Sequence, residues 1–212
     1  MTLPPKNPSP TSGRSLQPLP PGSVRIGGEI GRRIELTIAG NLLKLDVHKD
    51  FLAPLAKKPG DYVGVGLLLK AASHFAAAGH ADAAALRDRV AQALVRAQEP
   101  DGYIGYKTPG HKLWDLFDGD EVAQIILGLA THYDLTGSQP SLAAARKLAR
   151  YVIREFRKNP EKASPARREG LDDMLTWISL EWAMIRLHEI TGDGGLLDFC
   201  VLTRRLPAWN PP

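Results

Sequence analysis

Three stretches of the chain end a helical pattern in the same way, and their spacing limits the fold more than any other feature. Ala72-Ser73-His74-Phe75-Ala76-Ala77-Ala78-Gly79 aligns with Ala130-Thr131-His132-Tyr133-Asp134-Leu135-Thr136-Gly137. A looser copy is Arg186-Leu187-His188-Glu189-Ile190-Thr191-Gly192. Each closes on glycine, the residue suited to a left-handed position just past a helix end, and each leads quickly into another helical pattern. The glycines lie 58 and 55 residues apart, a period of two helices and a loop, so the chain is a series of α-hairpins. Such a series winds into a solenoid or closes into an α/α toroid. Solenoid repeats of this kind usually run roughly 34–47 residues. Here short glycine joints alternate with long connections over residues 99–119 and 158–170, the arrangement of a toroid with long loops at one mouth. His74, His132 and His188 fall at equivalent places in separate hairpins, too far apart to share one metal ion, so a packing or turn role is expected.

Apolar residues recur at helical spacing from Glu29 onward. A first helix is expected over 29–46, with Ile30, Ile34, Ile38, Leu42 and Leu45 on one face. A second starts near Asp61, a good N-cap, and carries Leu67, Leu68, Ala71, Ala72 and Phe75. The third runs over about 82–98 on Leu86, Val90, Ala93, Leu94 and Ala97. The fourth, about 120–136, uses Val122, Ile125, Ile126, Leu129 and Tyr133, and the fifth, about 139–157, uses Ala145, Leu148, Ala149, Val152 and Phe156. The sixth, about 171–191, carries Met174, Ile178, Trp182 and Ile185, and a short seventh fits 194–205. No segment alternates as a strand would. The expected class is all-α.

Charge and cysteine content exclude several functions. The formal net charge of +4 comes from 27 basic and 23 acidic residues, and the cations are scattered in pairs rather than interleaved with aromatics, which argues against nucleic-acid binding. The single cysteine, Cys200, rules out an intrachain disulfide and any multi-cysteine zinc site. Its place in Leu197-Asp198-Phe199-Cys200 suits a buried, inert thiol. No run approaches the length of a membrane span, and the N-terminus lacks the apolar core of a signal peptide, so a cytoplasmic location is the default expectation. Seven prolines precede residue 22. Residues 1–27 therefore read as a disordered proline-rich arm, 28–205 as the folded domain and 206–212 as a tail.

The stretch Gln98-Glu99-Pro100-Asp101-Gly102-Tyr103-Ile104-Gly105 opens the longest connection. Proline fixes φ and Asp-Gly accommodates a tight turn. Together with a following tryptophan, the run LGLATHYDLTGSQPSLAAARKLARYVIREF and the run LEWAMIRLHEITGDGGLLDF, this loop resembles the β-L-arabinofuranosidase family, glycoside hydrolase family 127. The resemblance covers roughly residues 28–200, in the family's order. It implies an (α/α)6 toroid followed by β-domains, and a retaining hydrolase of L-arabinofuranosides or related glycosides. The family's nucleophile is a cysteine thiolate beside a zinc held by further cysteines and a glutamate, in the later half of its toroid. This chain carries about three of six hairpins and stops at RLPAWNPP. The resemblance thus implies a partial toroid lacking the cysteine and zinc half, with no cofactor in this chain and no independent catalysis.

At the loop mouth, Asp101, Asp115, Asp118, Asp120 and Glu121 are the candidate acids. Glycoside hydrolysis usually needs two carboxylates, about 5–5.5 Å apart for retention and wider for inversion. The competing role for Asp118 or Asp120 is to cap the fourth helix, with Glu121 near its positive end. Tyr103, Tyr106 and Trp114 offer faces for a sugar ring, though Trp114 equally suits a plug holding the loop to the helices. The substrate-binding set expected is Asp101, Tyr103, Trp114, Asp115, Asp118 and Glu121, with His111 a solvent residue or a polar contact. Trp177, Glu181 and Trp182 suit the core or helix surface better than a cavity wall, and Asp172 and Asp173 suit caps. Carbohydrate is the expected partner. The alternative is a non-catalytic hairpin module that pairs with a second copy through the uncovered edge of the toroid.

Overall fold

A computed structural model describes residues 19, 22–60, 64–115, 117–160 and 178–204. The expectations placed on Asp61, Asp172, Asp173, Met174, Trp177, the proline-rich arm before Leu19 and the 206–212 tail lie outside the described residues. The described residues form an all-helical array with no strand among them. The helices are α1 (Gly28–Gly40), α2 (Val65–Ala77), α3 (Ala81–Ala97), α4 (Asp118–Thr136), α5 (Gln139–Lys158), α6 (Ile178–Thr191) and α7 (Gly194–Asp198). A 3-10 turn over Leu42–Lys44, a π-turn over His48–Leu52 and a single turn over Ala53–Ala56 link α1 to α2. A second π-turn, Phe199–Thr203, prolongs α7.

The short glycine joints are present as expected, as is the long connection that precedes α4; the second long connection, over 158–170, lies mostly outside the described residues. Gly79, Gly137 and Gly192 adopt φ of 103°, 74° and 68°, the left-handed conformation that side chains disfavour. The amides of Gly137 and Gly192 each donate to a carbonyl four residues back, at 2.7 Å. The equivalent histidines serve these joints. His132 Nδ1 meets the Ser141 hydroxyl at 2.8 Å, and His188 Nδ1 donates to the Asp193 carbonyl at 2.9 Å. His74 is exposed instead.

Helix α4 is the centre of the array. It packs against α2 on one side and α6 on the other, with α5 behind it, and every residue from Glu121 to Ala130 is buried. A helix apolar all round, as Val122, Ile125, Ile126, Leu127 and Leu129 make it, is stable only when enclosed. The α2–α4 contact is unusually close. A Cβ on Gly66 would stand 2.2 Å from the carbonyl of Gln124, and one on Gly128 would stand 2.5 Å from the Gly66 oxygen. Only glycine lets the two backbones approach this far. Glu121 reinforces the contact by reaching from α4 to the start of α2. Its carboxylate accepts the Gly64 amide at 2.9 Å and the Val65 amide at 3.1 Å. It satisfies two of the amides that a helix N-terminus leaves without an intrahelical partner.

Several expected faces are corrected. Helix α1 ends at Gly40 and buries only Ile38, while Ile30 is 65% exposed. Its chief described contact is the short turn that follows it, so Ile30 stays exposed and Ile34 is only partly buried. In α2 the buried apolar side chains are Val65, Leu68, Leu69 and Ala72, and Leu67 is exposed. In α6 the core face is Leu180, Ala183, Met184 and Leu187, and Trp182 is 51% exposed. Both helices carry apolar residues on nearly all sides, so spacing alone does not choose the buried face.

Gly66→Ala should drive α2 off α4 and cost at least about 3 kcal/mol of stability, the upper range for overpacking a core. Gly40→Ala, where nothing lies within 4 Å, should leave stability unchanged or raise it by up to about 1 kcal/mol. Urea unfolding followed by circular dichroism measures both.

Candidate functional site

The connection from Gln98 to Phe117 sits over the N-terminal ends of α2 and α4, and its shape follows from a few residues. The Gly102 amide donates to the Glu99 carbonyl at 2.9 Å, closing a turn with Pro100 at its second position. The Tyr103 amide donates to Asp101 Oδ1 at 3.0 Å. Gly102 has φ of 103°, and a Cβ there would meet the Lys147 carbonyl at 2.8 Å, so the turn lies flat against α5. The Gln98 side-chain amide spans the same seam, donating at 3.0 Å to the Gly102 and Ala144 carbonyls.

Beneath this turn lies a buried polar knot. Tyr103 is fully buried. Its hydroxyl lies 2.8 and 3.0 Å from the two carboxylate oxygens of Asp118 and accepts the Lys107 amide at 3.1 Å. Asp118 also accepts the Leu113 amide. Burial pushes the Asp118 carboxyl above its usual range, against the opposing pull of the Leu113 amide and Tyr103. Burial and the neighbouring Asp118 push the Tyr103 phenol far above its ordinary value. Leu113 and Phe117 hold φ of 69° and 59°, a left-handed conformation costly for such residues. The knot over-determines them.

A second set of charges ties the outer face of the loop. Lys112 Nζ bridges Glu99 at 2.6 Å and Asp101 at 3.0 Å, and Lys58 pairs with Glu99 from the preceding connection. Both ammonium groups stand over the Tyr103 ring, 4.9 Å from its centroid for Lys58 and 4.8 Å for Lys112. Burial opposes ionisation of Glu99, but Lys112 and Lys58 outweigh it and hold its carboxyl below the ordinary value. Asp101 is lowered in the same way, with burial overcome by the Tyr103 amide and Lys112.

The expected site residues therefore divide. Tyr103, Asp118 and Glu121 are buried and bonded within the fold. Asp118 makes no cap for α4, and Glu121 serves the start of α2 rather than its own helix. Trp114 is partly buried, its ring 4.9 Å from Phe156, which in turn meets Phe199 at 5.2 Å. Tyr106 is buried, its hydroxyl donating to the Phe51 carbonyl at 3.3 Å. Asp101, His111 and Asp115 reach the surface, where His111 Nδ1 lies 3.2 Å from Asp115. Lys107, Thr108, His111 and Asp115 form a cleft of about 310 Å³ with Pro59 and Gly60. Sequence reasoning missed Lys58, Glu99, Lys107 and Lys112. The pairing of Lys58 with Glu99 spans 41 positions, a separation that no local pattern marks.

Cys200 and Glu181 lie away from the loop. Glu181 is buried and ion-paired with Arg204, and burial, set against Arg204, raises its carboxyl pKa. Cys200 is fully buried with its Sγ 3.7 Å from the Glu181 carbonyl. Burial, with Glu181 nearby, pushes its thiol up to about 12. A thiolate or metal ligand needs the reverse, so Cys200 does not fit the zinc–thiolate centre that the resemblance implies. Among the described residues no three His, Cys, Asp or Glu side chains are placed to hold a metal ion.

Tyr103→Phe should cost about 2–3 kcal/mol, the range for a buried hydrogen bond to a charged group that leaves its partner short, measured by urea unfolding. Labelling of Cys200 by a disulfide reagent at pH 8 should be at least about a hundred-fold slower in the folded protein than in urea, because both burial and the raised pKa withhold thiolate.

A sequence profile of the β-L-arabinofuranosidase GH127 catalytic domain matches residues 60–207. A search of curated proteins finds no match. Among solved structures, the chain is similar to a GH127 β-L-arabinofuranosidase from Geobacillus stearothermophilus T6, with 21% identity and a TM-score of 0.53. That likeness covers 81% of this chain and 28% of the other. A second GH127 β-arabinofuranosidase is 22% identical with a TM-score of 0.58, covering 85% of this chain and 32% of its own. The chain thus spans about a third or less of the length of the solved structures it resembles, and within that span the helical array is that of a partial toroid. No described helix is long and apolar enough to cross a membrane. The profile covers more than half of the chain and agrees with the hairpin array and its loop, and the chain belongs to the GH127 β-L-arabinofuranosidase catalytic-domain family.

Proposed function

We propose that this chain binds carbohydrate at the loop end of its helices, as one part of a GH127-type toroid. The observation that carries the reading is the cleft of Pro59, Gly60, Lys107, Thr108, His111 and Asp115, built on a buried, hydrogen-bonded frame. A furanoside presents hydroxyls that both donate and accept, and the cleft answers both. Asp115 accepts, Lys107 donates, and Thr108 and His111 do either. Asp101 stands on the same loop. Tyr103, Trp114, Asp118 and Glu121 serve the site by holding its walls. The names of the similar solved enzymes supply the sugar class, an L-arabinofuranoside. The reading assigns no catalytic residue, because Cys200 does not supply a thiolate and Asp118 and Glu121 are spent on the fold. Hydrolysis by the family's cysteine and zinc chemistry draws on groups that this chain does not provide.

A second reading, a non-catalytic module that self-associates, is favoured by apolar side chains left exposed on two terminal elements. Ile30 and Leu36 of α1 are 65% and 56% exposed, and Leu202 of the last π-turn is 71% exposed.

Calorimetric titration with a short β-L-arabinofuranoside oligosaccharide separates the two. On the first reading the protein binds, and Asp115→Asn weakens binding at least about ten-fold, a loss of about 1.4 kcal/mol, with its unfolding midpoint unchanged. Absence of binding in a protein that sediments as a dimer would instead support the second.

A further inference from the structure

Among the described residues, a row of positive charge runs along α5 beside a second cleft. Along one side of α5, Arg146, Arg150, Arg154 and Arg157 recur at helical spacing. With Lys158 they line a cleft of about 480 Å³ whose floor is Ile153, Leu187 and Leu196. Small-molecule sites occupy roughly 300–1,000 Å³. The arginines extend about 16 Å along the helix at 1.5 Å per residue. Like charges at this spacing repel one another, and among the described residues few carboxylates neutralise them. The Arg146 Nε is buried without a hydrogen-bond partner, and Arg150 and Arg157 make no ion pair among the described residues. Arg154 is shared with Glu155 and the Asp101 carbonyl, and Lys158 pairs with Glu155. One carboxylate, Asp193, lines the cleft, and its Oδ1 already accepts the Gly195 amide at 3.1 Å.

We propose that this cleft binds an acidic oligosaccharide through the carboxylates of successive uronate units. The planar guanidinium fork matches a carboxylate with two parallel N–H bonds, and a row of forks suits a ligand whose charge repeats along its length. The apolar floor takes the C–H faces of the sugar rings between those charges, a contact that inorganic phosphate would leave unused. The cleft shares no residue with the loop cleft. Only the choice of a sugar as the ligand's body rests on the carbohydrate reading above.

The test titrates the intact protein with trigalacturonate in about 0.15 M salt, where exposed charges are screened beyond about 8 Å. The double variant Arg150→Ala, Arg157→Ala alters two exposed side chains, and its thermal midpoint serves as the folding control. Binding that the double variant weakens at least ten-fold, with neutral arabinoside binding unaltered, bears the proposal out. No binding of trigalacturonate overturns it, as does binding indifferent to the double variant. Tripolyphosphate binding as tightly as trigalacturonate also overturns it, since charge alone would then suffice. If trigalacturonate binds and the neutral arabinoside does not, the loop-cleft reading fails and this one stands.

Discussion

The approach of α2 to α4 sets the rest of the array. Gly66 and Gly128 bring the backbones together where any larger residue would collide, and Glu121 closes the same seam by bonding the first amides of α2. Dispersion falls steeply with distance, so a close backbone contact yields many atom pairs per residue. It also removes freedom: two helices held at one point by glycine and at another by a buried carboxylate have little room to slide. Helix α6 then packs on the other side of α4 and is joined to it by the Gln124 side-chain amide, which donates to the Ser179 hydroxyl at 3.0 Å.

The loop depends on that frame. Because Glu121 ties the first turn of α4 to the start of α2, Asp118 one turn earlier is held where Tyr103 and the Leu113 amide can reach it. The buried carboxylate is tolerated because these donors replace its lost water. Lys58 and Lys112 add positive charge over the Tyr103 ring, which attracts cations to its face. What remains exposed, chiefly Asp101, His111 and Asp115, sits beside groups that are themselves buried or ion-paired. A loop arranged in this way suits recognition, since little conformational freedom is left to lose when a ligand binds.

Much of the architecture was legible because it is local. A helical period, a glycine after it and a second period within a few residues describe a hairpin joint wherever they occur, and three copies define the array. The Pro-Asp-Gly turn is equally local. The chemistry of the loop was less legible. Asp118 and Glu121 read as caps or as substrate contacts, because a carboxylate near a helix start suits either. Their true partners, Leu113 and Tyr103 for one and Gly64 and Val65 for the other, are set by how the loop and α2 lie on α4. Trp182 was misplaced for a different reason: α6 is apolar on most sides, and the face it buries was chosen by α4 rather than by its own spacing.

The sequence by itself determined the helices, their joints and the family, since each depends on residues adjacent in the chain. The tertiary structure alone decided which acids face the core, which aromatic stays exposed, and that Arg204 neutralises Glu181 across 23 positions. It alone placed four arginines of α5 against the apolar floor supplied by α6 and α7. The physical reason is one of range. Backbone conformation is set by neighbours in sequence, whereas burial, pKa and the pairing of charges are set by neighbours in space.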